Sequence, residues 1–384
     1  MRAILSSRAL SVINLPRRGR SHPRLFYNAS VKSWDVIVIG GGIIGLSLSI
    51  ALRKRGATVL VVERGEPGRE ASHAAGGMLV DCPLETPPLL QPLASTSARM
   101  YPEFAHELEV ESGMKVDLRD QGTILFLSPQ HAERNAAFVA SHALPGTLTE
   151  LEAALVGRQS PILYWKERSV DPRALTAAAW KTAKQRRVDF SSGDEVVAVT
   201  VTEGRATGVQ TIKTTFHGAK VVNCAGAWSG QIAPHAFPTR PVKGQMLCLV
   251  MLSRTLLKHV VRSPEAYLIP RSDGRLLVGA TVEEAGFDKR TDLATIQRLH
   301  KAAIALVPKL ADAKILEDWA GLRPGTPDAL PILGETQTAG YYVATGHFRD
   351  GILLAPITAD VMAAVIEGRK PEYDLAAFSP ARFV

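Results

Sequence analysis

Residues 40–45 read Gly-Gly-Gly-Ile-Ile-Gly, and a carboxylate, Glu63, stands 23 positions after the first of them. Gly40 suits a tight turn, Gly42 a backbone that comes close to a charged group, and Gly45 close packing of a helix on a strand. The free N–H groups at a helix start, with the positive end of the helix dipole, attract phosphate. A carboxylate closing the next strand can accept bonds from ribose hydroxyls. Together these residues predict a dinucleotide site. An acid at position 63 argues against a 2′-phosphate, and so against NADP.

A strand, a turn and a helix must hold those groups. Residues 35–39 are short, β-branched and apolar, as a central parallel strand should be. A helical run then continues to about Arg55, where Gly56 ends it. Residues 57–62 read as the next strand, ending at Glu63. The stretch 36–52 carries no charge, which could suggest a membrane span. Its glycines and its division into a strand-like and a helix-like run favour a buried strand–turn–helix, and no other segment is long and apolar enough to span a bilayer.

Small residues dominate from Ala71 to Gly77. Such a run lets a chain pass close to a flat, bulky group, or simply pack as a tight loop. Residues 219–226 read as another buried strand ending in small residues. Residues 340–351 read as a strand leading through glycines into a helix that runs to about Glu367. Pro356 falls in its early turns, where proline is tolerated.

A chain of 384 residues suggests two domains, or one large interrupted one. The net charge of +8 is concentrated at one end. Arg2, Arg8, Arg17, Arg18, Arg20, Arg24 and Lys32 precede the first acid, Asp35. The rest is near neutral, which argues against a nucleic-acid groove. Residues 1–34 read as a basic leader, either a disordered terminus or an organelle transit peptide. The expected location is the cytoplasm, or an organelle if the leader is a transit signal. Cys82, Cys224 and Cys248 show no CxxC spacing, which favours a reducing compartment. The histidines show no metal-binding pattern, and no metal is expected.

The chain resembles the D-amino-acid-oxidase superfamily of flavoproteins, and within it the glycine oxidases of the thiamine-biosynthesis type. The similar segments are GGGIIG (40–45), ASHAAGGML (71–79), VNCAGAWS (222–229), RPVKGQM (240–246), YLIPR (267–271), GAT (279–281), WAGLRPGTPD (319–328) and ATGHFRDGILLAP (344–356). The resemblance implies an α/β fold class: a discontinuous Rossmann-type FAD-binding domain with an antiparallel-sheet α+β cap domain over the substrate. The FAD domain would take residues 35–82, 151–239 and 319–384, and the cap 83–150 and 240–318. The residues agree in outline. Segments 243–252, 264–271 and 275–282 read as strands, with a turn at 272–274. Residues 291–307 read as an amphipathic helix ending before Pro308.

The resemblance also implies which residues act. Arg323 would grip the substrate carboxylate bidentately, and Tyr267 would donate to it or close the pocket. Met78 and Val282 would line the apolar side. Arg349 would lie beside flavin and substrate, and a helix starting near Gly351 would stabilise the reduced flavin through its dipole. FAD would be held by Gly40, Gly42, Ile43, Ile44, Gly45, Glu63, Arg64, Ala71, Ser72, Gly76, Gly77, Met78, Val196, Ala225, Gly226, Trp228, Gly321, Arg323, His347, Arg349, Asp350, Gly351 and Ile352. No covalent link to FAD is expected, although His73 stands in a context where related dehydrogenases attach it. Glu265 would place a carboxylate at the pocket mouth. The implied partners are a small amino acid (glycine, sarcosine or a small D-amino acid), O2 and other copies of the chain in a homotetramer. Electron transfer to a non-oxygen acceptor, or a role as one subunit of a larger amine-oxidising complex, is the competing reading.

Overall fold

Uninterrupted β-branched runs build the centre of the molecule. In the computed structural model, which describes residues 32–157 and 160–383, Ser33–Ile39 (β1) pairs in parallel with Val59–Glu63 (β2) and with Thr215–Asn223. Every residue of β2 is buried, as expected of a strand covered on both faces. The basic leader up to residue 31 lies outside the described residues. Its expected limit at residue 34 moves, because β1 already begins at Ser33 and buries Trp34.

Among the described residues these strands belong to an eight-stranded sheet. Its main path runs Ile332–Glu335, Tyr341–Thr345, Thr215–Asn223, β1, β2, Asp189–Ser192. The hairpin Val196–Thr202 and Arg205–Thr211 branches from Thr215–Asn223. The helices Ile43–Lys54 (α1), Gln91–Ser112, Pro172–Gln185 and Ala355–Ile366 share one apolar cluster on one face of this sheet. Gly56, with φ +91°, follows α1 where the chain reverses.

A second, seven-stranded sheet is ordered Lys314–Gly325, Arg240–Val250, Arg275–Gly279, Tyr267–Pro270, Val260–Arg262, Thr123–Phe126, Ile162–Trp165. Its pairs are antiparallel except Val260–Arg262 with Thr123–Phe126. Leu293–Leu306 packs on it through Ile296, Leu299, Ala303 and Leu306. Asp292 caps that helix, its carboxylate accepting from Thr295 N at 2.9 Å.

The sheets do not follow the segment limits expected from sequence. Ile162–Trp165, within the 151–239 segment, sits in the seven-stranded sheet. Lys314–Gly325 continues across the 318/319 limit as one strand. The expected strand over 275–282 ends at Gly279. The helix expected from Gly351 begins at Ala355, and turns occupy 351–354. From Ser33 onward the chain forms one compact unit. No helix among the described residues is long and apolar enough to cross a membrane.

Candidate active site

A cavity of about 570 Å³ lies where the ends of the parallel strands face the antiparallel sheet, within the usual range of ligand clefts. At one end stands the glycine turn after β1. Gly40 has φ +101°, and a Cβ there would lie 2.6 Å from the Cys224 carbonyl oxygen. The N-cap residue of α1, Gly42, has no side chain to cap it. The Ile43 N–H donates to Ser72 Oγ at 2.9 Å, and Gly41 N–H donates to Glu63 Oε2 at 2.8 Å. The N–H groups of Gly42 and Ile44 have no protein acceptor among the described residues. Gly42, Ile43 and Ile44 all line the cavity. Unpaired N–H groups at a helix start form an anion cradle. Gly45 is the one expected FAD-binding residue that does not line the cavity. Its Cα faces Val38 and the Gly40 carbonyl, which fits its helix-packing role.

Glu63 is 8% exposed, and its other oxygen accepts from Gly65 N at 2.9 Å. A carboxylate has about four acceptor positions, so it can still receive a ribose hydroxyl. Arg64 stacks on the Trp228 ring, with Cζ 3.5 Å from the centroid. Val196, Ala225 and Gly226 complete this end of the lining.

The short helix Ala71–Ala74 (α2) and the chain to Met78 run along the cavity. Ala71, Ser72, Gly76, Gly77 and Met78 line it. Gly321 also lines the cavity, and a Cβ on it would collide with Ala74. The tightness of the small-residue run is thus set by a strand of the other sheet. His73, inside α2, is absent from the lining. Burial lowers its pKa, and Arg173 and Arg69 push the same way.

The far end holds Arg323, Tyr267, Met78 and Met246. Arg323 Nη1 donates to the carbonyls of Thr281 at 3.1 Å and Lys243 at 3.3 Å. Among the described residues no carboxylate forms an ion pair with it. Its guanidinium lies across Gly244, where a Cβ would collide with Nη1, Nη2 and Cζ. Burial pulls the Arg323 pKa below its ordinary value, yet an arginine stays charged at neutral pH. A half-buried cation with only neutral partners, two carbonyls and the Tyr267 hydroxyl, is unfavourable without an anion. Tyr267 Oη lies 3.7 Å from Met246 Sδ. Burial raises its pKa, while the positive charges of Arg323 and Arg349 oppose the rise.

Residues 347–352 close the lining. His347 is buried, its Nε2 3.1 Å from Thr358 Oγ1, and burial drives its pKa down to about 3. Arg349 is exposed and forms no ion pair among the described residues. The Asp350 carboxyl is pushed up to about 6 by burial; Arg349 opposes the shift and Glu85 adds to it. The N–H groups of Gly351 and Ile352 have no backbone acceptor among the described residues. They form a second cradle for negative charge.

Residues 35–365 match the model of a family described as FAD dependent oxidoreductase. The chain belongs to that family. A "Bifunctional protein ThiO/ThiG" of Trichormus variabilis is 35% identical over 364 residues, covering 91% of this chain and 55% of the relative. A "Glycine oxidase" of Pseudomonas aeruginosa is 33% identical over 359 residues, covering 90% of this chain and 98% of the relative. The crystal structure of glycine oxidase from Geobacillus kaustophilus superposes with a TM-score of 0.86 at 31% identity, covering 92% of this chain and 99% of that one. The chain thus spans about half the length of the bifunctional relatives it matches.

FAD is the cofactor of this family, and the residues present fit it. The N–H groups of Gly42, Ile44, Gly351 and Ile352 lack backbone acceptors among the described residues, Glu63 could accept from ribose hydroxyls, and glycines keep the walls close.

Two expectations fail within this FAD dependent oxidoreductase. Val282 is 66% exposed and absent from the lining, because the strand before it ends at Gly279 and the chain turns outward. Glu265 is also exposed and outside the lining, its carboxylate accepting from Ser263 Oγ at 2.8 Å. Sequence reasoning also passed over Met246, Gly244 and Glu85, all in the lining. Met246 and Gly244 lie in the RPVKGQM segment, two residues apart on one strand and so on one face of it; its continuous burial gave no alternating signal. Glu85 is held by Arg262 from a distant strand, and nothing local marks it.

Proposed function

We propose that the chain is an FAD-dependent oxidase of small amino acids: glycine, sarcosine or a small D-amino acid. The observation that carries this reading is Arg323, a half-buried guanidinium in the cavity wall with no anionic partner among the described residues. A substrate carboxylate supplies that anion in a bidentate pair. The Tyr267 hydroxyl, beside Arg323, donates to the same carboxylate. Met78, Met246 and Gly76 leave a narrow apolar space that suits a small Cα substituent.

When bound, FAD supplies the hydride acceptor for the substrate Cα–H and passes the electrons to O2, giving hydrogen peroxide and an imine. Arg323 and Tyr267 would orient the amino acid toward the bound flavin. Arg349 and the free N–H groups of Gly351 and Ile352 stabilise negative charge at the cavity wall. No dedicated base is required if the substrate amine enters neutral. FAD would be held without a covalent link. The similarity to ThiO/ThiG proteins supports a role in supplying glycine imine for thiamine thiazole synthesis.

The deciding experiment is a visible spectrum of the purified protein with oxygen uptake on glycine, sarcosine, D-alanine and D-proline. A flavin spectrum with peroxide formed from one of these is the expected result. Anaerobic bleaching without oxygen uptake would replace the oxidase by a dehydrogenase or a complex subunit. A flavin that no amino acid bleaches would end the substrate assignment.

A further inference from the structure

One loop beside the antiparallel sheet reaches across to the Glu63 end of the cavity. Residues 284–291 contain no helix or strand. They hang between two anchors. At one, Glu283 and Lys243 exchange backbone hydrogen bonds, each 2.9 Å. At the other, Asp292 N donates to Gln245 Oε1 at 2.7 Å. Between them two side chains reach over. The Phe287 ring lies 5.2 Å from the Trp228 ring, tilted by 32°. Lys289 Nζ lies 3.1 Å from Glu70 Oε2. Glu70 pairs with Arg64 at 2.8 Å, and Arg64 stacks on Trp228. The contacts form a closed ring: Phe287, Trp228, Arg64, Glu70, Lys289. Its three inner members, Trp228, Arg64 and Glu70, line the cavity. Arg64 directly follows Glu63, the carboxylate at the ribose position.

We propose that residues 284–291 are a strap over the adenosine end of the cofactor cavity, and that Phe287 and Lys289 are positioning residues that set how fast FAD enters and leaves. The geometry gives the strap a fixed span and a weak clasp. Both ends are tied by backbone or buried amide bonds, and Glu284 pairs with Arg240 at 3.2 Å beside the first anchor, whereas the middle is held to the cavity wall by one ring contact and one ion pair. Lys289 and Glu70 side chains are 47% and 32% exposed, so salt screens their attraction. Phe287 remains 42% exposed, so its ring can swing clear without unpacking a core. The proposal rests on the FAD of the family and on no choice of substrate.

The test follows flavin fluorescence as FAD leaves diluted holoprotein and as it rebinds to the apoprotein. Phe287→Ala speeds both release and rebinding about three- to ten-fold, the range expected for one aromatic contact. Lys289→Ala speeds both about two- to five-fold, and Lys289→Arg restores the wild-type rates. Added salt accelerates release from the wild type but not from Lys289→Ala. Melting of the apoprotein stays unchanged in both variants. Wild-type rates in both variants overturn the strap. Faster release with unchanged rebinding also overturns it, because the residues would then add affinity without guarding a passage. Phe287→Leu serves if the alanine variant does not fold. These rates need no substrate, so they stand even if no amino acid is oxidised.

Discussion

At the nucleotide end of the cavity the charged side chains already have partners, whereas at the far end Arg323 and Arg349 have no counter-ion among the described residues. Glu63 accepts from Gly41 and Gly65, and Arg64 is paired with Glu70. Arg323 has two carbonyls and the Tyr267 hydroxyl beside it. The first end is a preformed mould whose own groups are settled, leaving N–H groups for the ligand. The second end carries uncompensated positive charge that a ligand must neutralise. A tightly held cofactor suits the first condition, and a substrate that arrives and leaves suits the second.

The sharpest way to break this contrast is Arg323→Ala. With the guanidinium proposed to bind the substrate carboxylate gone, kcat/KM falls about 100- to 1,000-fold, while the flavin content and spectrum are retained. Oxygen-uptake kinetics and the protein's absorbance decide it; activity within a few-fold of wild type would remove Arg323 from substrate binding. Gly244→Ala attacks the same end through the floor. The added methyl meets the guanidinium, and a displacement on the order of 1 Å lowers kcat/KM about 100-fold with FAD still bound.

The opposite pattern is expected from Gly40→Ala. Its new Cβ lies 2.6 Å from the Cys224 carbonyl at a φ of +101°, so strain of about 1–3 kcal/mol falls on the FAD cradle. The purified protein loses flavin, and added FAD restores activity. Equal losses of flavin in the Gly40 and Gly244 variants would erase the distinction between the two ends.

Two pH experiments sharpen it further. Since the reading needs a neutral substrate amine and no protein base, kcat/KM rises between about pH 7 and 10; a flat profile speaks against it. Asp350 gives the smallest effect. Its carboxyl is held at about 6, above the ordinary 3.8, by burial. The folded apoprotein therefore keeps a proton that the unfolded chain releases, and stability falls as pH rises from about 4 to about 6. Asp350→Asn melts a few degrees higher than wild type above that window and equally below it. Identical melting curves at pH 8 would show that the carboxyl is not desolvated in the apoprotein.

The same contrast explains what could be read without coordinates. The glycine turn, α1 and Glu63 come from one continuous stretch, 33–63. Their spacing carries the geometry, because strand and helix periods fix where each residue points. The residues around Arg323 come from 76–78, 243–246, 267 and 281. For these the family resemblance named Arg323, Tyr267 and Met78, but it also placed Val282 and Glu265 at the pocket. Neither reaches it, since strand endings decide which neighbour of a motif turns inward.

The glycine turn after β1, the acid that closes β2, the concentration of charge before residue 35 and the small-residue run from Ala71 to Gly77 are legible from the chain's residues in order. These are local consequences of backbone conformation and short spacing. By contrast, packing in three dimensions requires that Gly244 be bare because Arg323 lies across it and that Gly321 admit Ala74, and it brings Phe287 and Lys289 to Trp228 and Glu70. Those pairs are separated by many residues, and the pairing of the antiparallel strands fixes their approach.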